Sequence, residues 1–453
     1  MRRHFKFIPR IWDRLHSSFW FLPSVMAISA MATAILLILL DSLEAARLGW
    51  IDAWTYAFGP ESARAILSAI AGSMITVAGV TFSMTMLTLQ LASSQFGPRM
   101  LRNFMRDRGN QIVLGTFLST FVYWLLVLAS VRGSGNSSFV PLIAVTFGMI
   151  LAVASLATLI YFIHHIATLI RIETILANLA AEACKTVERV FPEHGYASAP
   201  FPETLMAQAL PLGFDNDSRS VVASVSGYIQ SIDIERLRQV ASDNDLVVRV
   251  GGRIGNFVSN DGSLVIASPY GRVSDAVADD LSDAFSFGPE RTPEYDIEFS
   301  LRRIVEIAQR ALSPGVNDPT TALYCVDRLG EVLGLLADRQ FPSGRIVDQD
   351  GKLRVVFEPV AFAELASSAF AAIARYGISD DDLVKRLLDV MDRSSRGAPT
   401  SDRQTIMHLH DAIGLESAAS RFADATKATQ PTPARQWKSS VDPLPPKASW
   451  PET

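Results

Sequence analysis

Apolar positions are concentrated in the first third of the chain, in four runs each long enough to cross a bilayer as a helix. The pattern predicts spans at Phe19–Leu40, about Ala65–Leu91, Ile112–Val131 and about Phe139–His164. Pro23 stands near the start of the first, where a missing amide donor costs a helix least. Between the first two, Asp41–Arg64 carries Trp50, Trp54 and Tyr56, aromatic residues suited to the headgroup zone. Arg132–Ser138 permits only a tight hairpin between the third and fourth.

The second span is not uniformly apolar. Gly72, Thr76, Gly79, Ser83, Gln90 and Ser94 follow one another in steps of three, four or seven, which stacks them on one helix face with Met86 as its apolar member. From Gly72 to Gln90 a helix rises about 27 Å, close to the depth of a hydrocarbon core. Two readings stand side by side. Small residues let neighbouring helices approach and hydroxyls bond back to their own carbonyls; or Thr76, Ser83 and Gln90 line a polar path formed by several subunits.

Lys and Arg near the span ends set the orientation, because positive charge resists translocation. Arg2, Arg3, Lys6, Arg10 and Arg14 precede the first span, and Arg99, Arg102, Arg106 and Arg108 follow the second; the opposite loops hold Arg47, Arg64 and Arg132. Both termini are expected in the cytoplasm, with the chain multi-pass in the inner membrane. The basic N-terminus superficially resembles a signal sequence. Its apolar run is too long for a signal core and ends in Asp41-Ser42-Leu43-Glu44 without a small-residue cleavage pattern, so it reads as a retained anchor. In the second loop, Gly97-Pro98 punctuates the chain, and Met100, Leu101, Phe104 and Met105 then alternate with arginines at helical spacing. Arg99, Arg102 and Arg106 are candidates for coupling at the membrane surface, with apolar side chains down and guanidiniums among phosphates; the alternative is a topogenic cluster without a ligand.

Beyond the spans the pattern predicts a helical stalk over 165–200, continuous with the fourth span, with Ile166, Leu169, Ile172, Ile175, Leu176 and Leu179 on its apolar face. His164 and His165 at the boundary read as interfacial anchors, since adjacent helix positions point apart. A small β module follows over 201–290, with strands at Val221–Val225, Tyr228–Ser231, Leu246–Val250, Phe257–Val258 and Leu264–Ala267. Its halves around Ser226-Gly227-Tyr228 and Gly252–Gly262 resemble the small barrel-sandwich hybrid domains that include biotin and lipoyl carriers. No Met-Lys-Met turn lies between them, so no covalent cofactor is expected. Residues 291–425 read as a helical domain, with apolar stripes Ile297/Leu301/Ile304/Val305/Ala308/Leu312 and Ala322/Val326/Leu329/Leu333/Leu336, and a strand at Leu353–Phe357. The Pro-rich tail 426–453 is expected to be disordered. The fold class is thus a basic N-terminus (1–18), an α-helical four-span domain (19–164), the stalk and a cytosolic α+β region.

Between the two stripes lies Ala311–Thr321, where Asp318 suits an N-cap and Pro319 the first helical position. Arg291, Asp296, Arg310, Asn317 and Asp318 form a candidate site for a small anion or partner, weighed against a cap with surface ion pairs. Three stretches resemble a bacterial membrane-protein family catalogued as domain of unknown function 2254: Thr81-Phe82-Ser83 through Gln90–Arg99; Ser226-Gly227-Tyr228 with Ile232-Asp233; and Arg291-Thr292 with Asp296 and Ala311–Thr321. The resemblance runs to about Ile413. It implies four spans and no known activity. Tyr295 departs from the glutamine expected before the aspartate.

Composition narrows the classes. Among 453 residues 49% are hydrophobic and the formal charge is only −5, with no long basic stripe, so nucleic acid is not an expected partner and the bilayer is. Cys184 and Cys325 stand far apart without Cys/His neighbours, which supports neither a disulfide framework nor a metal site. No Gly-rich phosphate loop, GxSxG or HExxH is present, and an enzyme is not expected. Two functions remain: an oligomeric channel or permeation-like protein with a regulatory cytosolic domain, or a membrane-anchored scaffold or sensor whose cytosolic domain binds a partner or small anion.

Overall fold

The computed structural model describes residues 19–43, 60–96, 107–133, 139–169, 171–191 and 210–429. The chain divides into two compact units that are not contiguous in sequence. Residues up to Thr186 join Thr292–Ala311 in the first, and Val187–Arg291 join the chain from Leu312 in the second.

The first unit contains four helices long and apolar enough to cross a membrane: α1 Phe21–Ser42, α2 Pro60–Phe96, α3 Arg108–Ser130 and α4 Leu142–Leu169. These match the four predicted spans, with α2 and α4 running several residues further. α3 is the most buried of the four and packs against all three others. Its Tyr123, Trp124 and Val127 meet Ala34 of α1, Leu67 and Ala71 of α2 and Ala144 of α4 in one core; Val113 and Phe117 meet Ala78, Phe162 and Ile166 in a second. Small residues set the closeness of these contacts. A Cβ on Gly115 would press on Met26 and Pro23, and one on Gly148 would lie 2.7 Å from the Trp124 ring.

Several polar groups inside this bundle are bonded across helices. Asp41, at the end of α1, accepts from the amides of Ile143 and Ala144 at 3.1 Å each and so closes the start of α4. Tyr123 donates to the Ala144 carbonyl at 2.6 Å, and the hydroxyls of Thr120 and Ser155 pair at 3.1 Å. Arg64 donates to the Val131 carbonyl at 2.8 Å, and an Arg132–Phe139 bridge narrows the α3–α4 hairpin.

The stalk is a separate helix, α5 Ile172–Val190, rather than an extension of α4. Near the junction the Thr168 hydroxyl bonds the carbonyls of His164 and His165. α5 buries Ile175, Leu176, Leu179 and Ala183 on one face. The chain returns to this unit in α8 Ile297–Ala311, whose buried Arg303 pairs with Glu182 of α5 at 2.6 Å. Thr186 also donates to the Pro293 carbonyl at 2.7 Å.

The second unit is built on two sheets. Strands β1 Arg219–Val222, β2 Gly227–Ile232, β3 Val247–Val250, β4 Phe257–Val258, β5 Ser263–Ser268 and β6 Phe285–Gly288 are joined by β7 Arg345–Val347 and β8 Leu353–Val356. Their orders are β1-β5-β3-β8-β7 and β4-β2-β6; among the described residues neither closes into a barrel. All pairs are antiparallel except β3 with β8, where Val248 stands opposite Val355. The strand read inside the helical region therefore completes the β layer. Helices α6 Ile234–Asp243 and α7 Asp275–Ser282 cover a core of Ile229, Leu237, Val248, Leu264, Leu281 and Val355. Four further helices, α9 Pro319–Ala337, α10 Phe362–Gly377, α11 Asp381–Ser394 and α12 Thr400–Thr429, pack among themselves. α12 enters the stretch expected to lack structure, and 430–453 lie outside the described residues.

Asp41→Ala removes both acceptors at the start of α4. It should destabilise the membrane bundle by about 1–2 kcal/mol, as loss of a cap does, with Asp41→Asn milder. Thermal unfolding in a fixed detergent, followed by Trp124 fluorescence, checks the ranking.

Candidate functional site

The polar stripe of α2 lies on the side of the helix that the bundle does not use. Leu67, Ala71, Ala78, Thr81 and Thr88 are buried, whereas Gly72, Thr76, Gly79, Ser83 and Gln90 are all exposed. At 100° per residue the two sets fall on opposite faces. A Cβ on Gly72 or Gly79 would meet nothing within 4 Å, and the Thr76 hydroxyl turns back to the Gly72 carbonyl at 2.9 Å. Ser83 and Gln90 make no side-chain hydrogen bond among the described residues. The small residues thus do not serve packing within the chain. The Ser94 side chain and the surface arginines Arg99, Arg102 and Arg106 lie outside the described residues.

Asp107 follows that loop directly and caps α3, accepting from the Asn110 amide at 2.9 Å. The same oxygen meets His165 Nε2 at 2.9 Å. Tyr161, one turn earlier on α4, stacks on the imidazole with ring centres 5.2 Å apart. Gly109 makes room for the ring, since a Cβ there would collide with Nε2. The third span predicted from Ile112 misses Asp107 as its start, although a short acceptor ahead of the run is the signal. The bond of Asp107 to His165 has no such signal, because the two stand 58 positions apart.

The five candidate residues beyond the spans are divided between the units: Asp296 and Arg310 in the first, Arg291, Asn317 and Asp318 in the second. Both carboxylates serve helix starts. Buried Asp296 accepts from the Phe299 amide at 2.9 Å, and Asp318 accepts from the Thr321 amide at 3.1 Å and hydroxyl at 2.6 Å. Asn317 is exposed with φ of 50°, the left-handed region that asparagine tolerates better than most residues. The ionisable residues of this loop therefore act first as caps.

A cluster that sequence reading missed lies where β3 and β8 begin. Arg354, only 6% exposed, donates through Nε to Asp348 at 2.6 Å and through a terminal nitrogen to Asp245 at 2.8 Å. Asp245 also takes Arg272, and that hydrogen-bonding, first from Arg354 and then from Arg272, holds its carboxyl below the usual range. Burial raises the Asp348 carboxyl, but Arg354 and the amides of Lys352 and Asp350 outweigh it and the net direction is downward. An open cavity of about 590 Å³ adjoins the cluster, lined in part by Asp217, Asp245, Ser268, Lys352 and Arg354. Sequence could not join these residues, because the parallel β3–β8 pairing brings them together across about a hundred positions. Among the described residues no group of three His, Cys, Asp or Glu is arranged to hold a metal.

Residues 16–393 match the family of predicted membrane proteins designated domain of unknown function 2254. The chain belongs to that family. Uncharacterized proteins of Mycobacterium tuberculosis (strain H37Rv) and Mycobacterium bovis are each 33% identical to this family member over 423 residues, covering 91% of this chain and 78% of the relative. No solved structure matches it. The match covers all four apolar helices, so this member of the family is a predicted membrane protein on both composition and kinship.

Acid should loosen the second unit through the Arg354 cluster. Carboxyls depressed in the folded state contribute stability that is complete above their unfolded value, about 3.9 for aspartate, and that is lost as pH falls through the lower folded value. Asp348→Asn should remove part of that acid-dependent loss and lower stability at pH 7. Chemical unfolding between about pH 2.5 and pH 7 reads both effects.

Proposed function

We propose that this protein works as a homo-oligomer in the bacterial inner membrane, with both chain ends on the cytoplasmic side, and that copies meet along the Gly72–Gln90 face of α2 to enclose a polar permeation path. The observation that carries this reading is the exposure of the whole stripe directly opposite the buried face of the same helix. Facing lipid, the Gln90 amide and the Ser83 hydroxyl would have no partner for their hydrogen-bonding groups. Facing the same stripe of another copy, the glycines permit close approach and the hydroxyl and amide groups face water or each other. The stripe carries no charge, so the path would pass small solutes or ions without a fixed charge filter. The regions beyond the spans act as its regulatory part.

Cysteine cross-linking in membranes tests the assembly. With Cys184 and Cys325 replaced by alanine, Ser83→Cys should form disulfide-linked dimers. Met84→Cys, about 100° round the helix and also exposed, should not. Reconstitution in planar bilayers then tests the path: the assembled protein should conduct, and Gln90→Leu should reduce conductance severalfold. Cross-linking without conductance would leave an oligomeric anchor and reject permeation; cross-linking at Met84 rather than Ser83 would reject the interface itself.

A further inference from the structure

The contact between Asp107 and His165 joins the start of one membrane helix to the end of another at the point where both leave the bundle. Asp107 follows the arginine-bearing second loop and begins α3; His165 stands one turn before α4 ends at Leu169 and α5 takes over. Their side chains are 21% and 19% exposed, at the ends of both helices. We propose that this pair is a proton-controlled latch: it fastens α3 to α4 when the imidazole is charged and loosens as the imidazole loses its proton.

The chemistry is specific to these two groups. A neutral imidazole with its proton on Nε2 gives Asp107 an ordinary hydrogen bond, whereas an imidazolium gives a charge-assisted one of about twice the strength. Histidine makes that change within the physiological range. The surroundings leave the pair to decide the outcome. α1 and α2 carry no ionisable side chain between Phe21 and Leu40 or between Ala65 and Phe96. α3 adds Asp107 at its cap and exposed Arg108; α4 adds Tyr161, stacked on the ring, and exposed His164; α5 begins beside exposed Arg171 and Glu173. Arg99, Arg102 and Arg106 precede Asp107 outside the described residues.

Two features mark the junction as a built one. Gly109 supplies the space that the imidazole occupies, and any larger residue there would push the ring off the carboxylate. Asn110, one position on and only 2% exposed, has neither its side-chain nitrogen nor its side-chain oxygen bonded. A buried carboxamide without partners is costly. The latch does not rest on the permeation reading. It acts on the helix ends whether or not the α2 face encloses a path.

Hydrogen exchange by mass spectrometry on the intact protein in lipid nanodiscs tests it. After correction for intrinsic rates, peptides covering 107–114 and 160–169 should exchange about tenfold more slowly at about pH 5.5 than at about pH 8. His165→Gln keeps a donor that does not titrate, and Asp107→Asn keeps the cap but not the charge; both should abolish the pH difference. Equal wild-type exchange at the two pH values, or a difference that survives His165→Gln, overturns the proposal. Should either variant fail to fold, nitrogen-15 spectra of wild-type histidines decide: a His165 resonance that shifts across this range together with the Asn110 amide supports the latch, and one that does not shift refutes it.

Discussion

A helix that begins in or beside hydrocarbon leaves backbone amides with no water to accept them, and carboxylates meet that demand at the starts of α3 and α4. Asp41 reaches from the end of α1 to the first amides of α4, about a hundred residues away, and Asp107 closes α3. The same device recurs beyond the membrane helices, where Asp233, Asp296, Asp318 and Asp380 each accept an amide at a helix start. An acidic residue before a helix is therefore committed to the backbone before it is available for other chemistry. The Asp296 and Asp318 carboxylates, conspicuous in the sequence, are among those that cap a helix.

Within the first unit, α3 organises the bundle because it makes the most extensive contacts with each of the other three spans. Its large aromatic residues, Phe117, Tyr123 and Trp124, are nearly or completely inaccessible and seat against alanines and glycines of its neighbours. This arrangement takes one face of α2 and leaves the opposite one free. The free face is the one that carries Gly72, Thr76, Gly79, Ser83 and Gln90.

The chain does not finish one unit before starting the next. It returns to the first in α8, fixed by Arg303 on Glu182, and returns to the main sheet of the second in β8, seated beside β3. A buried guanidinium needs paired acceptors to remain buried, and both Arg303 and Arg354 have them. Each return thus carries a charged anchor whose partner lies far off in sequence.

The sequence by itself determined what local spacing can encode. Twenty or more apolar residues specify a span, period-two runs between glycines specify strands, and steps of three and four place Gly72, Thr76, Ser83 and Gln90 on one helix face. The helix start at Asp318 follows from a short acceptor ahead of Pro319 and an apolar stripe. Tertiary structure alone decided which way that polar face of α2 points, because a helix periodicity fixes a face but not its neighbour. It also decided that Asp107 meets His165, that Arg354 gathers Asp245 and Asp348, and that Leu353–Val356 joins the β layer. Those contacts close loops of many residues, and their energy resides in groups whose sequence separation carries no periodic signal. Even the break between α4 and α5 belongs here: the apolar face continues through it, and the periodicity gives no sign that the helix stops at Leu169.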